Sequence, residues 1–188
     1  MAEEAPWLPP DCWQQLFANP NPVAVEVGPG RGEFLRAVAA ARPDWNFFGI
    51  EHSSTRTRHI EHLLASRRRQ NARVVWADAG WLLPLLPAAS AAAVYVQFPD
   101  PWWKRRHHKR RLWTPPFVAA IRRLLAPGAT VEFLTDVADT FQLGLALLDA
   151  DPGLERVAVG LLDRHDTNFA RKALQVGGQI HRSLHRRP

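Results

Sequence analysis

The sequence predicts an α/β fold, a mostly parallel sheet with helices on both faces, in a single domain spanning residues 1–188. Three observations carry that expectation. Short apolar runs rich in β-branched residues alternate with longer segments of helical periodicity. The first such run ends in a glycine-rich turn that opens a helix. Hydrophobic residues make up 46% of a 188-residue chain, enough for one sizeable core and too little for two.

Taken in order, Val23–Val27 is an apolar, β-branched run and reads as the first strand. Glu33–Ala41 sets Phe34, Leu35 and Val38 at helical spacing, with Pro43 following as a stop. Residues 45–50 read as the second strand. Residues 54–69 read as a helix with Ile60, Leu63 and Leu64 inward and charges outward. Ala72–Trp76 is the third strand, 81–86 a helical turn and 92–97 the fourth strand, before a long polar loop. Residues 114–125 form a helix with Pro115 and Pro116 in its first turn, where a missing N–H is tolerated. Pro127-Gly128 turns the chain into a fifth strand at 129–134, a helix follows at 137–148, and 154–159 with 179–184 suit a terminal antiparallel pair. Ligands of such sheets sit beyond the carboxyl ends of the strands, so the loops at 28–32, 51–53, 78–80, 97–111 and 135–136 are expected to face one cleft.

Composition narrows the partners. The net charge is +6, nearly all of the 24 Lys and Arg are arginine, and the charge clumps at 104–111 and 182–187. A basic surface favours a polyanion such as nucleic acid. One cysteine, Cys12, excludes an internal disulfide framework and a cysteine-based metal site. No apolar run approaches the ~20 residues of a membrane helix, and the acidic N-terminus lacks an apolar signal core. The expectation is a cytoplasmic protein that neither enters a membrane nor binds a metal.

Val25-Glu26-Val27-Gly28-Pro29-Gly30-Arg31-Gly32 joins the first strand to a helix. Glycines at 28, 30 and 32 let the backbone turn sharply and approach a ligand closely. The G-x-G-x-G spacing is not the G-x-G-x-x-G of a dinucleotide site. The surrounding acids also disfavour a pyrophosphate. Glu51, ending the second strand, is placed for two ribose hydroxyls; Glu26 for a cationic amino-acid tail; Asp78, ending the third strand, for an adenine amino group. An acid-lined pocket suits the sulfonium and ammonium of S-adenosyl-L-methionine and repels a nicotinamide dinucleotide.

The stretch from Gln97 to Leu112 is the most distinctive. Asp100 stands between Pro99 and Pro101, which stiffen the backbone around a carboxylate at the end of the fourth strand. Trp102 and Trp103 offer flat faces for a base or for the core. Residues 104–111 are all Lys, Arg or His, a density suited to phosphates. His107 and His108 lack the acidic or cysteine companions of a metal site.

These motifs resemble the bacterial tRNA (guanine-N7-)-methyltransferase family from about Phe17 to Ile180. Phe98-Pro99-Asp100-Pro101-Trp102, Lys104 and the His107–Arg111 cluster are similar to its most specific signature. Glu26-Val27-Gly28, Gly49-Ile50-Glu51, Thr135-Asp136 and Thr167-x-Phe169, with Gly177 and Ile180, resemble its other motifs. The resemblance implies a three-layer, Rossmann-like fold on a seven-stranded sheet, and methyl transfer from S-adenosyl-L-methionine to guanine N7 in tRNA. It implies that Glu26, Glu51, Asp78 and Asp100 contact the cofactor, with Asp100 nearest the chemistry. Lys104, Asp136 and Thr167 would contact the target nucleotide, and Arg182, Arg186 and Arg187 with the basic loop would hold the RNA backbone. The chain departs from the pattern at Ala170, where the family has Glu, and at Ala173, where it has Gly. Another RNA or a small molecule as methyl acceptor, and a non-catalytic RNA-binding relative, are the alternatives. A monomer and a homodimer both suit the fold.

Overall fold

A computed structural model of the chain describes residues 8–102, 106, 111–158 and 179–188. The expectations on Trp103, Lys104, His107, His108, Thr167, Phe169, Ala170, Ala173 and Gly177 lie outside the described residues.

Seven strands form one sheet: β1 Val23–Val27, β2 Asn46–Glu51, β3 Ala72–Trp76, β4 Ala91–Gln97, β5 Leu125–Thr135, β6 Glu155–Arg156 and β7 His181–Arg186. Their order is β3-β2-β1-β4-β5-β7-β6. β1 to β5 are parallel, whereas β7 runs antiparallel to β5 and to β6. Every residue of β1 and β2 is buried, so both faces of the sheet need cover.

Helices α2 Glu33–Ala41 and α3 Ser54–Ser66 cover one face, where Phe34, Leu35, Val38, Ile60 and Leu64 pack on Ala24, Phe47, Ala72 and Ala93. On the other face α1 Cys12–Phe17, α4 Ala79–Leu82, α5 Pro115–Leu124 and α6 Ala138–Ala150 contribute to a larger core around Val25, Ile50, Val96 and Phe133. Local chemistry marks the helix starts. The Ser53 side chain caps α3 by accepting the Arg56 N–H, and Thr114 caps α5 by accepting the Phe117 N–H at 3.3 Å.

The sheet and its order of layers match the expected architecture, and the departures are local. β2 lies one residue later than the expected 45–50, and Glu51 ends it as expected. The Pro127-Gly128 turn lies inside β5 as a bulge: the pairing with β4 jumps from Ala91↔Leu125 to Ala93↔Thr130. Gly128 there has φ +80°, and its N–H donates to the Arg187 carbonyl at 2.7 Å. The terminal pair is shorter and later than expected, since β6 has two residues and β7 starts at His181. Helix α1 has no counterpart in the sequence reading; its six residues are too few to establish a period.

Two of the three terminal arginines are drawn into the sheet and do not form a free basic tail. Arg182 pairs with the buried Glu132 at 2.8 Å, and Arg187 donates to the Leu125 carbonyl at 2.5 Å. Arg186 pairs with Glu155 at 3.3 Å and keeps half of its side chain exposed. Arg182 and Arg187 therefore fasten β7 to β5, because antiparallel pairing draws the tail into the sheet.

Tight packing on the second face sets a test. A Cβ on Gly144 of α6 would lie 2.5 Å from Phe133 Cε1 and 2.8 Å from Trp113 Cε2. Both rings are buried, with centroids 4.4 Å apart, so neither can retreat cheaply. Alanine is normally the better helix former by ~1 kcal/mol. Overpacking costs ~1–3 kcal/mol and outweighs it. Gly144→Ala is expected to lower the urea midpoint with an unchanged m-value.

Candidate methyl-donor cleft

A cleft of about 580 Å³ opens at the carboxyl ends of β1, β2, β3 and β4. The loops after these strands line it, as expected from the parallel order. Thr135 and Asp136 after β5 do not: Asp136 is exposed at the same end of the sheet, one strand further along than Gln97.

The floor is acidic and buried. Glu26, on β1, is 4% exposed, and its Oε2 is buried without a hydrogen-bond partner. Burial pushes its carboxyl up to about 8, and the neighbouring charge of Glu51 adds to the rise. Glu51 is 1% exposed. Its Oε2 accepts the Gly30 N–H at 3.0 Å and its Oε1 accepts the Ser53 N–H at 2.9 Å. Those bonds tie the glycine loop to β2 and leave further lone pairs on the carboxylate for a ligand. His52 Nδ1 lies 3.3 Å and Arg56 Nη1 3.8 Å from the same Oε1, at the solvent edge.

All three loop glycines are left-handed, with φ +71° at Gly28, +58° at Gly30 and +72° at Gly32. That accounts for the G-x-G-x-G spacing: alternate residues take a conformation costly for any side chain. The two ends differ in space. A Cβ on Gly28 meets nothing within 4 Å, whereas one on Gly32 would sit 2.9 Å from Ile60 Cγ1. Gly32→Ala is therefore expected to destabilise the fold more than Gly28→Ala, which carries only the ~1–2 kcal/mol of backbone strain. Paired thermal melts of the two variants check the order.

Asp78 stands two residues past β3 and caps α4, its Oδ1 accepting the Gly80 N–H at 2.8 Å. It lines the cleft on the side of β3. On the opposite wall, Asp100 is exposed and lines the cleft with Phe98, Pro99 and Trp102. Phe98 (φ +47°) and Trp102 (φ +46°) are both left-handed and flank the Pro99-Asp100-Pro101 segment. Non-glycine residues held there cost about 1–3 kcal/mol each, a cost met at sites where geometry matters more than stability. The Phe98 N–H donates to the Leu134 carbonyl at 2.8 Å and anchors the segment to β5.

This floor and these walls can be compared with known proteins. Residues 20–182 match a family described as putative methyltransferases. The tRNA (guanine-N(7)-)-methyltransferase of Acidithiobacillus ferrooxidans is 37% identical over 181 residues, 93% of this chain and 80% of that protein. The enzyme of the same name from Rhodopirellula baltica is 35% identical, over 93% of this chain and 69% of its own. The chain belongs to the tRNA (guanine-N(7)-)-methyltransferase family. A 16S rRNA methyltransferase, KamB, superposes with a TM-score of 0.69 over 99% of this chain and 96% of its own at 15% identity, which shows a shared Rossmann-like fold.

The methyltransferase cleft fits a ligand that is cationic at one end and nucleoside at the other. Glu26 Oε2 is a buried acceptor without a protein partner, and a Cβ at Gly28, which also lines the cleft, would meet no atom within 4 Å. Among the described residues no group of three or more His, Cys, Asp or Glu is arranged to hold a metal, and no helix is long and apolar enough to cross a membrane.

Sequence reasoning missed Gln97. It is 8% exposed, lines the cleft, and its Nε2 is buried without a partner. An amide ending an otherwise apolar strand carries no signal of its own; only the register shows which face it joins. Also missed was Trp76, whose indole N–H donates to the His52 carbonyl at 3.0 Å and supports the outer lip.

Proposed function

We propose that this protein transfers the methyl group of S-adenosyl-L-methionine to N7 of a guanine in tRNA. The observation that carries the reading is the acid-floored cleft over β1, β2 and β4, in a chain of the tRNA (guanine-N(7)-)-methyltransferase family. The net charge of +6 supports a polyanionic acceptor over a small molecule.

Bound S-adenosyl-L-methionine supplies a methyl group on a positively charged sulfur. Glu26 accepts from the donor's ammonium, the remaining lone pairs of Glu51 accept from ribose hydroxyls, and Asp78 accepts from the adenine amino group. Gly28, Gly30 and Gly32 keep side chains out of the way. Guanine N7 has a lone pair and no proton, so the chain needs no general base at this step. Its task is to place N7 in line with the methyl group and to stabilise positive charge as it passes to the purine. Asp100, stiffened by two prolines, has the charge and the position for the second task. Asp136 is assigned the N1–H and 2-amino edge of the guanine, Lys104 a phosphate or O6, and Thr167 a further contact to the target nucleotide. A base inside folded tRNA must be turned out to reach this cleft, and Trp102 in the wall offers a stacking face.

The test uses labelled methyl donor with two transcripts of one tRNA, one containing guanine and one 7-deazaguanine. Label in the first and not in the second is expected. Equal label in both would overturn the assignment to N7.

A further inference from the structure

The cleft holds one buried donor and one buried acceptor that do not satisfy each other. Glu26 pairs with Tyr95 and Val27 with Val96 in the parallel β1–β4 register. Val25, Val27, Val94 and Val96 therefore face the larger core, and Glu26, Tyr95 and Gln97 point to the α2 side. Gln97 follows the residue paired with Val27, so it lies two positions along from Glu26's partner. With strands ~4.8 Å apart and a rise of ~3.3 Å per residue, the two backbones are about 8 Å apart. Both residues line the cleft, and the diagonal spacing brings the two side chains to one end of it. Gln97 is 8% and Glu26 4% exposed, and Gln97 Nε2 and Glu26 Oε2 have no partner.

We propose that Gln97 is a specificity-determining residue that donates to the α-carboxylate of the methyl donor while Glu26 accepts from its α-ammonium. This rests on S-adenosyl-L-methionine as the methyl donor. The chemistry selects the ligand end. An α-amino acid carries an anionic acceptor and a cationic donor on one carbon, the complement of an amide N–H beside a carboxylate. The nucleoside end offers no anion for Gln97, and its hydroxyls are already matched by Glu51. Two neighbouring strands, β1 and β4, fix the two groups, so the pair selects donors that carry an intact amino-acid tail and discriminates against their truncated forms. Leaving a buried polar partner unmatched is what makes such selection strong.

Calorimetry without RNA tests the proposal with two probes. S-Adenosylhomocysteine carries the amino-acid tail; 5′-methylthioadenosine keeps the nucleoside and sulfur and lacks it. Gln97→Leu preserves size and removes the donor. It is expected to weaken S-adenosylhomocysteine roughly 10- to 100-fold, the worth of a hydrogen bond to a charged group. Binding of 5′-methylthioadenosine should stay at the wild-type value, which also reports that the cleft is intact. Gln97→Glu places an anion against the carboxylate and should weaken S-adenosylhomocysteine further. Unchanged S-adenosylhomocysteine binding in Gln97→Leu, or equal loss of both probes, would overturn the proposal. Failure of the wild-type protein to bind S-adenosylhomocysteine would instead strike the reading of the cleft itself.

Discussion

Asp100→Asn is expected to reduce turnover by roughly 10²- to 10³-fold, the usual worth of one preorganised electrostatic group at a reacting centre. The substitution keeps shape and removes charge. Asp100 is exposed, so its loss leaves no buried partner stranded and the melting temperature should barely move. Affinity for the methyl donor should change only a few-fold, because Glu26 and Glu51 supply the buried acceptors. The diagnostic pattern is a fall in kcat with donor Kd nearly unchanged. A loss confined to Kd would assign Asp100 to donor binding alone.

Glu26→Gln should have the second largest effect, and its sign reverses with ligand. In the ligand-free protein the Glu26 carboxyl is raised from 4.5 to about 8, first by burial and then by the charge of Glu51, with a hydrogen bond from the Leu35 backbone acting the other way. The folded state thus holds this proton more tightly than the unfolded chain. Its contribution to stability is complete below about 4.5 and is lost as pH rises through about 8. The glutamine variant has no such proton. It should match the wild type below about 4.5 and exceed it increasingly as pH rises to about 8, there by an amount on the order of several kcal/mol. Urea titrations at the two pH values measure the difference. A pH-independent gap between the proteins would contradict the account.

Ligand binding by Glu26→Gln runs the opposite way. An ammonium wants a carboxylate, so below about pH 8 binding must expel the Glu26 proton. The α-amino group itself titrates near 8, so affinity in the wild type should peak there and fall on both sides. Calorimetry in buffers of different ionisation enthalpy should show proton release at neutral pH in the wild type and none in the variant. Weaker binding together with a more stable empty fold would mark Glu26 as a group kept for function at the expense of stability.

Most of the sheet was legible because central parallel strands are buried on both faces. Val23–Val27 and residues 92–97 read as apolar runs for that reason. The glycine loop was legible because each of its glycines adopts positive φ, a local demand that leaves a local mark. What escaped depends on distant pairing. The arginines of β7 looked like a free basic tail until antiparallel pairing set Arg182 against Glu132, fifty residues away in sequence. His185 is fully buried against Asp149 at 2.9 Å, and Arg156 pairs with the same carboxylate; no spacing in the sequence announces that trio. Gln97 acquires meaning only through the register that lays it diagonal to Glu26. Asp136 was correctly read at the end of a strand, but β5 lies beyond the strands that frame the cleft, so position along a strand did not decide which groups converge.

The most direct measurement of the central claim is the identity of the methylated nucleoside. Wild-type protein, labelled S-adenosyl-L-methionine and unmodified tRNA are incubated, and the RNA is digested to nucleosides and separated. The account predicts 7-methylguanosine as the labelled product. Label on another nucleoside, or none from a protein that binds the methyl donor, would contradict it.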